Sequence, residues 1–350
     1  MRAIEVGKVR TRKRRWVWGS LLTVVVLLVG AGGWVVYQNE YDIKEEQVKI
    51  TGGRQPLNGV LARPAEGKGP HGLVVFVHGD GPQNATHDTF YRPIWEAMAK
   101  AGYATLSWDK PGVNGAPGNW LDQSIQDRAD ETVAAINWAK TQPGIDPGRI
   151  GLWGASQAGW VMPKAALQTS DVRFIIGVAP AMNWLQQGRY DLVATLRDQG
   201  ASPDEIKKAI AKSDKNLTAL RSSETYEEYK AKGGDVEGLS PDRWAFNRRN
   251  YLSDVSADLA KVKVPVLLVL GGRDTHVDSD DTEAGYRKLL TEPGRLTVKR
   301  YEDATHNIVP KGIEDSELKS TFLAIAAPRS LFTPGYLDEQ QKFLAAIGRK

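Results

Sequence analysis

The run Ile150-Gly151-Leu152-Trp153-Gly154-Ala155-Ser156-Gln157-Ala158-Gly159 passes from an apolar, strand-like segment through small residues and one serine into a helical segment. A serine on so tight a strand-to-helix turn sits in a strained backbone conformation, so the residues two before and two after it must be small. Here they are Gly154 and Ala158. The turn would lift the Ser156 hydroxyl above the carboxyl edge of a sheet, with a helix N-terminus beneath it that favours negative charge. The bland alternative is an ordinary small-residue turn.

Working outward, the chain alternates. Leu73–Val77 is a continuous apolar run, as suits a strand buried on both faces. Further strands read at Ala104–Trp108, Phe174–Val178, Val266–Leu270 and Leu296–Tyr301. Helices read at Phe90–Ala101, Gln126–Thr141, Gln157–Gln168, Ser279–Leu290 and Leu337–Ile347. Such alternation predicts a mostly parallel central sheet with helices on both faces. Gln47–Thr51 and Leu57–Ala62 read as a strand pair joined by Gly52-Gly53. The stretch 183–258 interrupts the pattern: it is polar, rich in Lys, Glu and Asp, and reads as helices inserted like a cap. A solvated excursion without a role is the competing reading.

A serine hydroxyl needs a base. Two later loops leave the carboxyl ends of strands on the same edge as Ser156. One is Gly271-Gly272-Arg273-Asp274-Thr275-His276-Val277; the other is Glu302-Asp303-Ala304-Thr305-His306-Asn307. His306 is the candidate base and Asp274 the acid that orients it. His276 follows the acid by two residues on one loop, which is awkward for mutual facing. Asp278, Asp280 and Asp281 compete as the acid, but better suit the N-terminus of the next helix. For the oxyanion, the backbone amides of Gln157 and Asp80 are the candidates, with Gly81 second. The Asp80 carboxylate is expected to point away, and His78 to brace its own loop.

Taken in order, HGDGP (78–82), WDKPGV (108–113), GASQAGW (154–160), GGRDTHV (271–277) and ATHN (304–307) resemble an α/β-hydrolase-fold serine hydrolase. The nearest group is the bacterial dienelactone-hydrolase and prolyl-oligopeptidase-like esterases and acyl-peptidases, over roughly residues 47–350. The resemblance implies a catalytic triad of Ser156, Asp274 and His306, with Asp80 and Gln157 at the oxyanion positions. It gives Asp109 and Gly112 a site-shaping turn. It departs at Ala158, customarily glycine, and at Asp80, where a small neutral residue is common.

The implied activity is cleavage of carboxylic esters through an acyl-enzyme. The alternatives are an acyl-peptidase type of peptidase or amidase, and a non-catalytic binding protein on the same fold. A peptidase would want a carboxylate for a substrate amine, and Glu224, Glu227, Glu228 and Asp235 are candidates from the insertion. Trp184, Tyr190, Trp244 and Tyr251 are candidates to line a pocket there. The expected substrate is a small ester or short acyl-peptide, and no cofactor is needed. The chain has no cysteine, which excludes disulfides, thiol nucleophiles and thiolate-held metals.

The net charge of +4 is uneven. Residues 1–15 hold seven basic side chains and one acid, so the remainder carries −2 and has no pull on nucleic acid. Trp16 to Tyr37 is uncharged and rich in Val, Leu and Gly. As a helix it would span roughly 33 Å, close to the hydrocarbon thickness. A signal anchor is expected, with residues 1–15 cytoplasmic by the positive-inside rule and the catalytic region periplasmic or extracellular. Residues 38–46 read as a linker. The alternative is a cleaved signal peptide and secretion, with 30–33 a weak cleavage site and Arg14-Arg15 a hint of twin-arginine export.

Overall fold

The computed structural model describes residues 29–222 and 224–348. Eight strands form one sheet in the order β1-β2-β4-β3-β5-β6-β7-β8. They are β1 (Ile43–Ile50), β2 (Leu57–Pro64), β3 (His71–Val77), β4 (Tyr103–Trp108), β5 (Ile145–Ala155), β6 (Val172–Val178), β7 (Val266–Gly271) and β8 (Leu296–Tyr301). β2 alone runs against the others; from β4 to β8 every pairing is parallel.

The apolar runs explain the layering. In β3, Leu73, Val75 and Val77 enter one core cluster while Val74 and Phe76 enter the other. Alternate side chains point to opposite faces, so a strand apolar at every position needs cover on both. Helices Ile125–Ala139, Ala158–Gln168 and Ser279–Leu289 cover the first face. Helices Arg92–Lys100 and Tyr336–Ile347 cover the second.

The tail 1–15 and most of the expected anchor Trp16–Tyr37 lie outside the described residues; 29–39 are helical. Among the described residues no helix is long and apolar enough to cross a membrane. The polar stretch 38–46 is not a linker throughout, because β1 begins at Ile43 inside it. β1 is an edge strand with only β2 beside it, and its Lys44–Glu46 side chains are solvated. An edge strand needs no buried face at every second position, so its sequence looks like a loop. The structure also has two helices beyond those expected, Lys311–Glu314 and Glu317–Ala326.

Between β6 and β7, four longer helices (Trp184–Asp198, Pro203–Arg221, Tyr226–Ala231 and Pro241–Asn250) form the insertion. A bridge between Asn183 and Asp254 closes its base, reinforced by an Asn183 Nδ2 to Asp254 Oδ2 hydrogen bond of 2.8 Å. Ala219, Tyr229 and Trp244 give it a small core of its own.

The tightest packing lies where β5 meets its helix. A Cβ on Gly154 would stand 2.5 Å from the Ala158 Cβ and 2.8 Å from the Val77 carbonyl oxygen. The alanine that replaces a customary glycine therefore makes Gly154 obligatory. Gly154→Ala should lose about 1–3 kcal/mol of stability by overpacking, read as a lower urea midpoint. Adding Ala158→Gly should recover part of that loss, leaving the contact with Val77. No recovery in the double variant would contradict this account.

Candidate active site

Ser156 occupies the turn after β5 with φ +55°, left-handed backbone that few side chains adopt. Three hydrogen bonds hold it there. Its amide donates to Val178 O at 3.0 Å, and its carbonyl accepts from Gly159 N at 2.9 Å and Ala181 N at 3.1 Å. The turn is thus tied to its own helix and to the end of β6.

Asp274 follows β7 and is fully buried at its side chain. Its Oδ1 accepts the His276 and Val277 amides at 2.8 and 2.9 Å; its Oδ2 faces His306 Nδ1 at 2.8 Å. Two backbone donors on one oxygen fix the carboxylate so that the other oxygen meets the imidazole. A carboxylate at Nδ1 makes that nitrogen the protonated one and leaves Nε2 as the basic lone pair. Ser156 and His306 line one cavity of about 330 Å³. Two of the competing acids are occupied elsewhere: Asp278 caps the helix Ser279–Leu289, and Asp280 pairs with Arg300.

The loop after β3 is shaped by two buried cations. Lys110 Nζ donates to Gly79 O at 2.6 Å and Gly81 O at 2.8 Å. Arg128 donates to His78 O and, at 2.6 Å, to Gln157 Oε1. In a trans peptide the carbonyl and the next N–H point in opposite directions. Drawing the Gly79 carbonyl onto Lys110 therefore turns the Asp80 N–H the other way. Among the described residues neither the Asp80 nor the Gln157 amide has an acceptor. Gly79 lies against the serine: a Cβ there would be 3.5 Å from Ser156 Cβ.

The Asp80 carboxylate is gripped by both guanidinium nitrogens of Arg243, one at 3.0 Å, and by Gln157 Nε2 at 3.1 Å. Burial pushes the Asp80 carboxyl up, but Arg243 and Lys110 outweigh it and hold it below the ordinary range. Burial, aided by Arg128, lowers the Lys110 ammonium well below its usual value. His78 braces the loop, with Nε2 on Trp108 O at 2.6 Å and Nδ1 on the Tyr91 hydroxyl at 3.2 Å. Burial, then Lys110, keeps it neutral.

The cavity walls were not legible in advance. Phe90, Tyr91, Trp153 and Tyr336 line it, all from the body. None of the four insertion aromatics does. Trp184 stacks on Trp160 at 5.1 Å, Trp244 stacks on Tyr229 at 4.9 Å, and Tyr190 donates its hydroxyl to Asp274 O at 2.8 Å. Glu224 and Asp235 pair with Lys232 and Lys212, and Glu228 caps its own helix. The insertion instead supplies Gln187 and Asp191. Among the described residues no group of three or more acids or histidines is placed to hold a metal ion.

A family model described as serine aminopeptidase, S33, matches residues 68–310. The chain belongs to that family of α/β-hydrolases. An Escherichia coli protein of 31.7 kDa, encoded between traX and finO, is 26% identical over 71% of this chain and 88% of its own length. YuxL of Bacillus subtilis, named an uncharacterized peptidase, is 23% identical over 83% of this chain and 40% of its own. A Pyrococcus furiosus esterase shares the fold at 14% identity and a TM-score of 0.56, over 88% of this chain and 91% of that one. This chain is a hydrolase of the serine type.

In this serine aminopeptidase relative a second imidazole stands beside the first. His276 also lines the cavity, with its ring 5.1 Å from that of His306. Its Nδ1 lies 2.7 Å from Asp191 Oδ1 of the insertion. The hydrogen bond it donates to Asp191 raises the imidazole above its ordinary value, against an opposing effect of burial. A raised histidine holds its contact at low pH and loses it as pH rises through the folded-state value. An NMR titration of His276 should show a midpoint above 6.5. Asp191→Asn should bring that midpoint down; an unchanged midpoint would contradict the pairing.

Proposed function

We propose that this chain is a membrane-anchored carboxylic ester hydrolase working through Ser156, His306 and Asp274. His306 Nε2 takes the Ser156 proton as Oγ attacks the ester carbonyl. The amides of Asp80 and Gln157 receive the oxyanion. The tetrahedral intermediate collapses, the alcohol leaves with the proton from His306, and an acyl-enzyme remains. Water then attacks by the same proton route and frees Ser156. Asp274 stays ionised throughout and stabilises the imidazolium.

The observation that carries this reading is the left-handed Ser156 turn sharing a cavity with an imidazole whose far nitrogen is held by a buried carboxylate. One further observation favours ester over peptide. Asp80 and Asp191 line the cavity, and each already has a side-chain partner, the Arg243 guanidinium and the His276 imidazole. A substrate ammonium would have to displace one of them. The aromatic walls suit an apolar acyl group. The anchor rests on the uncharged Trp16–Tyr37 run behind seven basic residues, which also argues for catalysis outside the cytoplasm.

A fluorophosphonate probe should label the protein, and Ser156→Ala should abolish labelling with the urea midpoint unchanged. Labelling that survives the substitution would reassign the nucleophile. Against a matched panel, p-nitrophenyl esters of aromatic acids should exceed aminoacyl-p-nitroanilides in kcat/KM by about tenfold or more. Faster anilide cleavage would make it a peptidase.

A further inference from the structure

Most large apolar side chains left exposed gather in one place. Among the described residues, seven of the nine most exposed belong to the helix at 29–39 or to Glu317–Ala326. On the latter, Leu318, Phe322 and Ile325 are 83%, 64% and 56% exposed. Their spacing of four and three residues places them on one helical face. Ser320, Leu323 and Ala326 turn the opposite face toward the protein. A contiguous apolar surface of this kind is uncommon on a soluble domain and marks a contact.

The two helices are tied together. Trp34 Nε1 donates to Ala326 O at 2.9 Å, and Asn39 Nδ2 donates to Ile325 O at 2.7 Å. Arg329 fastens the same corner to the body. It reaches the Gln38 carbonyl at 2.7 Å and pairs with Glu96. Trp34 and Tyr37 close the uncharged run that starts at Trp16, where an anchor's aromatic residues meet the headgroups. A hydrogen bond from Trp34 to the last turn of Glu317–Ala326 therefore sets that helix at headgroup depth. Its only charges are Glu317 and Lys319, at its first turn. That composition suits an interfacial helix held by apolar burial and not by charge attraction.

We propose that Glu317–Ala326 lies in the surface of the lipid bilayer beside the anchor, with Leu318, Phe322 and Ile325 among the acyl chains. This rests on the anchored reading given above. The hydrolase domain is then fixed against the membrane at two points and does not swing on a tether. His306 precedes this helix by eleven residues.

The chain has no cysteine, so one introduced thiol can be labelled cleanly. Full-length Phe322→Cys carrying an environment-sensitive fluorophore would be reconstituted in phosphatidylcholine vesicles with and without nitroxide-bearing lipid. Leu318→Cys serves as a second reporter, and Leu252→Cys, 68% exposed on the insertion, as the control. The expected result is flotation with the vesicles, blue-shifted emission at 322 and 318, and loss of that emission to the nitroxide, with 252 unaffected. Floating protein whose 322 and 318 labels stay water-like would overturn the docking and leave the anchor standing. Protein that fails to float would overturn both. A blue-shifted label shielded from nitroxide lipid, together with cross-linked dimers, would assign the face to a second copy and overturn the proposal.

Discussion

The site depends on one backbone constraint: a serine held with positive φ at the end of a buried strand. Such a conformation costs on the order of 1–3 kcal/mol and persists only where its surroundings over-determine it. Here they do. The Ser156 amide and carbonyl are bonded to β6 and to the segment after it. Gly154, Ala158 and Gly159 are closely surrounded, with Gly159 a Cβ's clash from Pro180 and Ala181. β5 lies at the centre of the sheet between β3 and β6. Relaxing the turn would mean disturbing both core clusters.

Around that turn the polar groups act as a frame. Burying Lys110 and Arg128 is expensive unless every donor finds a partner. Their partners are the carbonyls of the β3–helix loop and the Gln157 side chain. The cost of two buried cations thus goes into fixing which way three peptide units face. The insertion joins this frame at separate points, through Arg243 on Asp80, and through Gln187, Tyr190 and Asp191 on the loop bearing Asp274 and His276. It is fastened to both loops that flank Ser156, so its motion and the geometry of those loops are coupled.

Much of this was legible in the sequence, for definite reasons. Strands buried on both faces are apolar without interruption, so Leu73–Val77 and Val266–Leu270 announced themselves. The Ser156 turn needs small residues at set spacings, and the loops with Asp274 and His306 follow recognisable strands. What stayed hidden depended on tertiary partners. β1 is polar because it lies at an edge. The cavity aromatics come from three separate places, Phe90 and Tyr91 ahead of Arg92–Lys100, Trp153 on β5 and Tyr336 on the last helix, so no local pattern unites them. Arg243 looks like any solvated helix charge until Asp80, 163 residues away, is placed beside it. Glu317–Ala326 lacks a polar outer face, and so carries no amphipathic signal for a water-exposed helix.

The central claim is that Ser156, His306 and Asp274 act as a unit, and non-additivity tests it most directly. Ester hydrolysis by Ser156→Ala, His306→Ala and the double variant would be compared as kcat/KM. Groups working on one proton transfer cannot be lost twice. Each single change should cost about 10⁴-fold or more, and the double variant should be no slower than either. Losses that multiply in the double variant would show that the hydroxyl and the imidazole work independently, and would contradict the account.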